Sequence, residues 1–409
     1  MNFRDAMNII DYEVYGEEIK HDEIVDFIRD NKLEKTPVIL NVEGKRVATN
    51  FLSTRELLCK YLGIDVKELA KYLSQVSYSD KIEVKEGDYR RIGDLNDLPI
   101  PKYFENDAGR YITSGIVIVG EGKDFENYNA SFHRMMLLDE RRLAVRLVPP
   151  RHTYLRWKES VEKGEDLEIA VVIAPHPLFM LAAATRVEWG KEFEYAAALM
   201  GKLDVIEFDG IYCPESEIVM RGRITSEMVD EGPFVDITGT YDKVRKAPVV
   251  EIDEIYAKED FIFYSITPSG YEHQILMGVP FEPEIYKAVA KVCNVKNVIM
   301  TPGGKHYLHA VVQIKSVTEG DGKNAIIAAF AAHPSLKHVV VVDEDIDIYN
   351  PEDIEYAIAT RFQADRDLVI VTNVRGSSLD PSARDNITAK MGIDATVKGD
   401  REKYRRVTF

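Results

Sequence analysis

Two kinds of pattern alternate along the chain. Near the start, "HDEIVDFIRDN" carries Ile24, Val25, Phe27 and Ile28 at helical spacing. "TPVILNVEG" followed by "KRVATN" reads as a strand, a turn and a second strand. "STRELLCKYLG" opens on a serine with a glutamate three residues later, which predicts a capping box and a helix. From about 111 to 277 the period changes. "YITSGIVIVG", "SFHRMMLLDE", "RRLAVRLVPP", "LEIAVVIAP", "LDVIEFDG", "SEIVMRGRI" and "PVVEIDEIYAKEDFIFYSI" are short, β-rich and separated by turns, with one helical insertion, "FEYAAALMG". Runs at this spacing predict a barrel or sandwich. After about 280 the alternation returns. "PEIYKAVAKVC", "GKNAIIAAFAAHP" and "NPEDIEYAIATRF" read as helices, the last with an Asn cap and Pro at its first position. "VKNVIMTPGG", "KHVVVVDEDIDIYN" and "DLVIVTNV" read as strands, so a largely parallel α/β sheet is expected. The proline-containing stretch 96–113 reads as a crossing between domains. The fold class is therefore α/β (α+β), in segments 1–100, 101–280 and 281–409. No repeat or low-complexity tract interrupts them.

Composition narrows the function. The 409 residues include 45% hydrophobic positions, enough for a sizeable core. A net charge of −17, from 69 acidic and 52 basic residues, argues against a nucleic-acid binder, which gains affinity by neutralising phosphates. The three cysteines, Cys59, Cys213 and Cys293, stand singly, which fits a reducing compartment. No run reaches the roughly 18 apolar residues of a membrane span. The N-terminal residues do not read as a signal peptide, and a cytoplasmic location is expected.

Chemistry-bearing residues cluster in three places. In "ENYNASFHRM", strand alternation puts Asn129, Ser131 and His133 on one face and Arg134 on the other; a wet edge strand explains the cluster equally well. In "RLAVRLVPPRHTYLRW", Arg146, Arg151 and His152 flank a Pro-Pro corner. Arginine forks suit phosphate, although taken alone they fit a surface ion-pair cluster. Asn129, His152 and Glu192 form a mixed N/O set suited to Mg²⁺ or Mn²⁺, while Glu192 or Glu194 would also serve as a solvated helix face. In "VDEGPFVDIT", Glu231 and Asp236 flank a Gly-Pro-Phe turn among apolar residues, where neither a solvated loop nor a buried strand accounts for the pair. "TPGGKHYLH" and "VRGSSLDPS" are weak phosphate-loop candidates. Asp343, Glu344, Asp345 and Asp347 read as a polar strand end or a Mg²⁺ site.

The ordered series "YITSGIVI", "NYNASFHRM", "RLVPPRH", "KEFEYAAALMG", "CPESEIVMRGRI", "EGPFVDITGTY" and "SSLDPSA…AKMGIDAT", over about 100–395, resembles the UbiD family of decarboxylases. The resemblance implies a split β-barrel at 101–280 that binds prenylated FMN. The α/β domain at 281–409 would close over the site and build a homo-oligomer, a dimer or hexamer. It implies cycloaddition of the cofactor to an α,β-unsaturated acid, loss of CO₂ and protonation. Arg134, Glu231 and Asp236 match the family's catalytic trio, with Asp236 as proton donor and Glu231 as the partner of Arg134. Asn129, His152 and Glu192 match ligands of a divalent ion, Mn²⁺ or Mg²⁺, that neutralises the cofactor phosphate, with K⁺ nearby in some members. Ser131, Phe132, His133, Arg134, Arg146, Leu147 and Arg151 fall on cofactor-contacting positions. A flavin prenyltransferase of the UbiX type would supply the cofactor.

The sequence departs from the family in three ways. Asp236 stands where some members have Glu. Val235 replaces a common Gly, and the chain is shorter than bacterial and fungal members. The compact, acidic form resembles an archaeal branch that converts trans-anhydromevalonate 5-phosphate to isopentenyl phosphate in a modified mevalonate pathway. Lys305, His306 and Lys390 are candidates for the substrate phosphate. A 4-hydroxybenzoate-type or polyprenyl-hydroxybenzoate decarboxylase is the alternative. A split-barrel FMN reductase or a non-catalytic flavin or metal module would not need the trio.

Overall fold

The computed structural model describes residues 1–407, which form two compact units. The first comprises residues 1–63 and 76–276; the second comprises 64–75 and the chain from 277 onward.

The first unit contains four sheets, two of them small: Ile211–Pro214, Leu203–Phe208 and Ile82–Val84 form one, and Phe234–Val235 and Tyr241–Asp242 the other. In the smaller of the two main sheets, Glu13–Ile19, Val38–Val42 and Lys45–Thr49 are joined by Ile262–Tyr264, which pairs parallel to Lys45–Thr49 from more than 200 residues away. The helix expected after "STR" runs Arg55–Leu62, but its cap is Thr54, whose hydroxyl accepts from Leu57 N–H. The expected cap, Ser53, instead donates to the Lys35 and Asn50 carbonyls, so its hydroxyl is spent on the preceding turn.

The larger sheet has nine strands, all paired antiparallel. Eight lie in the order Tyr111–Ile112, Met135–Leu137, Arg142–Val145, Arg245–Ala257, Ser216–Glu231, Leu167–Pro175, Ile116–Val119 and Asn129–Phe132; Arg90–Ile92 adds to Arg245–Ala257. Chain connectivity forces this sheet to curl. Asn129–Phe132 lies at one edge and Met135–Leu137 next to the other, yet only His133 and Arg134 separate them. Thr113, Ser114 and Gly115 likewise link one edge strand to the far side. The two edges therefore meet as an open seam; beside it His133 N–H donates to Gly115 O at 3.1 Å, extending the pairing of Asn129–Phe132 with Ile116–Val119. The result is a half-barrel, and "SFHRMMLLDE" is two strands broken at the seam rather than one. Its central strands are buried on both faces: Ile116, Ile118, Val172 and Val219 share one, and Val117, Val171 and Ile173 the other.

The second unit carries a five-stranded sheet in the order Asn294–Met300, His309–Lys315, His338–Asp343, Ile387–Ala395 and Leu368–Arg375. The two inner pairings are parallel and the two outer ones antiparallel, so the sheet is mixed where a largely parallel one was expected. The overlooked strand is His309–Lys315, which follows the glycine-containing turn at 302–308. Period-two alternation divides the strands cleanly. Val298, Val312, Val339 and Val341 face Ala70, Ile285, Val289 and Ile326 of three helices. Ile299, Val311, Val340 and Val342 face Ala357 of Pro351–Arg361.

Candidate active site

Arg134 projects from the seam into a cluster of carboxylates. Its Nε and Nη2 donate to the two Glu231 oxygens at 2.9 and 3.0 Å, a bidentate pair. Its Nη1 lies 3.6 Å from Asp236 Oδ2. A third carboxylate, Asp242, not singled out in the sequence, lies 3.3 Å from Nη2 and is itself held by Arg245. The guanidinium also stands over the Phe234 ring, 5.1 Å from its centroid, and Phe234 packs on Tyr111. Burial works against the Arg134 charge, but the surrounding carboxylates outweigh it and hold its pKa above the ordinary value. Asp242 shows the same balance in reverse. Burial disfavours its charge, and the Arg245 and Arg134 guanidiniums overcome that and keep its pKa low.

Local backbone geometry explains the convergence. Ser216–Glu231 ends at Glu231, Gly232 turns with φ +91°, and the Gly232–Pro233 bond is cis. Phe234–Val235 then pairs with Tyr241–Asp242 across a tight turn closed by Asp236 N–H on Thr240 O. Glu231 is fully buried, whereas Asp236 remains 20% exposed at the turn. The Gly-Pro-Phe turn thus fixes one carboxylate in the interior and leaves the other partly exposed.

A histidine that the sequence reading missed lies close by. Burial lowers the His273 pKa; the Asp236 carboxylate opposes that and Arg134 adds to it. Ser269 N–H donates to His273 Nδ1 at 3.0 Å, so the neutral ring carries its proton on Nε2. No spacing motif marks His273, because its charged neighbours, Asp236 and Arg134, lie far back in the chain.

The second group of expected residues also comes together. Asn129 Oδ1 lies 3.2 Å from His152 Nδ1, and Glu192 Oε1 lies 3.6 Å from the same nitrogen. His152 and Glu192 each open a helix, His152–Lys163 and Glu192–Met200, and Asn129 opens a strand. The other Glu192 oxygen is buried with no hydrogen-bond partner. Burial raises the Glu192 pKa, and His152 only partly opposes this. An amide oxygen and a carboxylate oxygen beside one imidazole nitrogen, with the second carboxylate oxygen buried and unpartnered, make a donor set that fits a hard divalent cation. Glu194, the other acidic candidate, pairs with Lys191 at 2.8 Å.

The alternation expected for this strand is present. Asn129 Nδ2 donates to Ser131 Oγ at 3.2 Å, and Ser131 Oγ contacts His133 Nε2 at 2.9 Å, while Arg134 faces the carboxylates. His133 Nδ1 meets the Arg146 carbonyl at 2.9 Å, and burial pushes its pKa down to about 4. His133 is therefore a neutral strut between strand and corner. Phe132 is half-buried, Leu147 is buried, and Arg146 Nη1 donates to Leu147 O at 3.0 Å. Arg151 is exposed and precedes the helix at the Pro149–Pro150 corner.

The residues considered for a second anion lie in the second unit. Lys305 and His306 form a left-handed turn. Lys390 is buried and its Nζ donates to Pro334 O at 2.6 Å, which spends one of the ammonium's N–H groups. The acidic strand end is also committed, with Arg361 bonded bidentately to Asp345 and Arg401 reaching Asp343. In the serine loop, Ser377 accepts from Leu379 N–H and Asp380 pairs with Lys337.

Family models match most of the chain beyond residue 76: the 3-octaprenyl-4-hydroxybenzoate carboxy-lyase Rift-related domain over residues 77–271 and the C-terminal domain of the same enzyme over 274–395. The chain belongs to the UbiD family. It is 58% identical to the anhydromevalonate phosphate decarboxylase of Archaeoglobus fulgidus, over 100% of this chain and 96% of that one. The enzyme of the same name from Methanosarcina mazei is 53% identical over 92% of this chain and 91% of its own length. Among solved structures, the UbiD-class enzyme HmfF from Pelotomaculum thermopropionicum, in complex with FMN, superposes with a TM-score of 0.94 at 31% identity. That match covers 100% of this chain and 97% of the other. An evolved dimeric form of HmfF in complex with prFMN gives 0.89 at 29% identity, with the same coverage. The family-matched chain is a carboxy-lyase whose two converging clusters, at Arg134 and at Glu192, lie on the half-barrel seam and the helices beside it.

Proposed function

We propose that this UbiD-family chain decarboxylates trans-anhydromevalonate 5-phosphate to isopentenyl phosphate, using prenylated FMN. The observation that carries the reading is the set of contacts at Arg134, with Glu231 buried and bidentate on one edge and Asp236 partly exposed on the other. Two relatives more than half identical to the chain bear the name of that activity. Prenylated FMN, when bound, supplies the electron sink that makes loss of CO₂ from an alkenyl carbon feasible.

The protein's own groups hold, orient and protonate. Arg134 receives the substrate carboxylate on Nη1, the edge that Glu231 leaves open. Glu231 fixes the plane of the guanidinium. As the bond from carbon to carboxylate breaks and CO₂ leaves, Asp236 delivers a proton to that carbon and is reprotonated from solvent. Phe234 and Tyr111 keep water from the buried side of Arg134. Asn129, His152 and Glu192 would hold Mn²⁺ or Mg²⁺ against the cofactor phosphate, with K⁺ as a second ion. Ser131, Phe132, His133, Arg146, Leu147 and Arg151 line the cofactor's approach.

The remaining parts of the proposal are a cytoplasmic homo-oligomer supplied by a UbiX-type flavin prenyltransferase. Consistent with this, Cys59, Cys213 and Cys293 are free thiols. No helix among the described residues is long and apolar enough to cross a membrane.

The test is CO₂ release from trans-anhydromevalonate 5-phosphate by protein co-produced with a flavin prenyltransferase, with the absorption spectrum of the same sample. Turnover is expected, and the Asp236→Asn variant should lose at least 10³-fold in kcat, the upper part of the range for a general acid, about 10²–10⁴. Its flavin content should be unchanged. A prenylated-flavin spectrum without turnover would redirect the substrate to a hydroxybenzoate-type acid. Near-normal turnover by Asp236→Asn would remove Asp236 from the proton-donor role.

A further inference from the structure

A guanidinium has five N–H groups, and those of Arg134 are unevenly spent. Nε–H and one Nη2–H go to Glu231. The second Nη2–H is the group nearest Asp242, at 3.3 Å. Only Nη1 is left, 3.6 Å from Asp236, longer than a hydrogen bond.

Asp242 is a built feature of this site. In the ribbon register, Glu231 stands opposite Arg245 and Phe234 opposite Asp242. The hairpin that carries the two family carboxylates therefore also returns Asp242 under Arg134. Arg245 donates to both Asp242 oxygens, the Nε contact being 3.2 Å. Lys243 N–H adds a third donor at 2.9 Å. The side chain is only 14% exposed.

We propose that Asp242, anchored by Arg245, is a positioning residue of the decarboxylase: it occupies the outer N–H of Arg134 Nη2 and so confines the substrate carboxylate to Nη1, beside Asp236. This rests on the decarboxylase reading above. Without Asp242, an incoming carboxylate has two edges of Arg134 to choose from, and one of them points away from the proton donor. Asp242 also sets the charge. Three guanidiniums, Arg134, Arg245 and Arg146, stand among the carboxylates Glu231, Asp236 and Asp242, so loss of the Asp242 charge leaves a cationic cluster that holds an anion in any pose. The clamp trades affinity for alignment, since interactions that hold the ground state equally well in a wrong pose lower KM without raising kcat.

The experiment uses flavin-loaded full-length Asp242→Asn, which keeps volume and removes charge. Its kcat should fall at least 10-fold while KM for the acid falls several-fold, with unchanged flavin content. A merely structural role would raise KM or lose flavin. The same variant is titrated with butyrate, a saturated carboxylate that cannot react, followed by the flavin absorbance; its Kd should drop several-fold from that of the wild type. Wild-type kcat, or butyrate binding no tighter than wild type, overturns the clamp. If the wild-type protein releases no CO₂ from the phosphorylated acid, the substrate reading falls, and the butyrate titration still decides the clamp. If Asp242→Asn does not fold, Arg245→Gln replaces it. There, a kcat at least 10-fold lower with full flavin content supports the anchor, and a wild-type kcat overturns it.

Discussion

At the level of single residues, Glu272 shows how burial turns one carboxyl into a pH-dependent support. It accepts from Asn50 N–H at 3.1 Å, from Leu52 N–H at 2.7 Å and from the Tyr264 hydroxyl, and it is 1% exposed. Burial pushes its pKa up to about 7 from an ordinary 4.5; the three donors pull the other way and lose. A raised folded-state value means that the folded protein holds this proton more tightly than the unfolded chain. That stabilisation is complete below the unfolded value, near 4.5, and disappears as pH rises through about 7. Its full size is on the order of 3 kcal/mol, from 1.36 kcal/mol per unit. Glu272→Gln cannot titrate, and its amide N–H groups meet backbone donors, so the variant is the less stable protein at pH 4.5. The gap should narrow by up to about 3 kcal/mol by pH 8. Urea midpoints of both proteins across this range check it, and a gap independent of pH would show that Glu272 ionises normally.

The same scale shows what a sequence discloses. Asn129, Ser131, His133 and Arg134 sort onto two faces of one strand because their spacing is local. Glu231 and Asp236 are legible because a stiff Gly-Pro-Phe turn joins them. Asp242, His273 and Glu272 are not, since each acquires its role from a partner brought in by the hairpin register or by a turn far along the chain.

Elements carry the proposed ion site, and Gly190 is where two of them press together. Its φ is +74°, and a Cβ there would lie 1.7 Å from the Glu126 carbonyl oxygen. Gly190 precedes Glu192 by two residues, and Glu126 precedes Asn129 by three, so this contact sets the distance between two of the three converging side chains. Gly190→Ala must move one segment away from the other in addition to the roughly 1–2 kcal/mol cost of a left-handed alanine. The expected result is a folded protein with a Tm lower by several degrees and a bound divalent-ion content, read by elemental analysis, reduced at least 5-fold. Full ion content would mean that the ligand segments adjust independently of this contact. The elements themselves were mostly readable, because β-rich runs and helical stripes differ in period. The errors fell where local signals compete: Thr54 rather than Ser53 caps the helix, and a strand starts at His309 straight after a glycine-containing turn. Parallel against antiparallel pairing in the second sheet depends on connections that no periodicity encodes.

For the molecule as a whole, the chain enters the second unit twice. Residues 64–75 belong to it although the following 200 residues do not. The inserted segment is part of that unit's core. Ala70 is fully buried among Ile285, Val289, Val295 and Ile326. Its backbone is tied down as well: Asn297 Nδ2 donates to Lys67 O at 2.8 Å and the Tyr349 hydroxyl to Val66 O at 3.2 Å. A fragment beginning at 277 would lack the helix Leu69–Gln75 and expose the apolar surface under it. Leu69, Ala70 and Leu73 are all buried in the intact chain, and uncovering such a face costs several kcal/mol at about 25 cal/mol per Å², comparable to the whole stability of a small unit. Residues 277–409 alone should therefore show no cooperative unfolding transition by circular dichroism, whereas the same fragment with residues 64–75 fused through a flexible linker should regain one. In the full chain, Ala70→Glu should reproduce the defect by placing a charge in the same core. A cooperative transition in the fragment without the insert would mean that the sheet and its remaining helices suffice, and that the family's C-terminal boundary near 274 marks an autonomous folding unit.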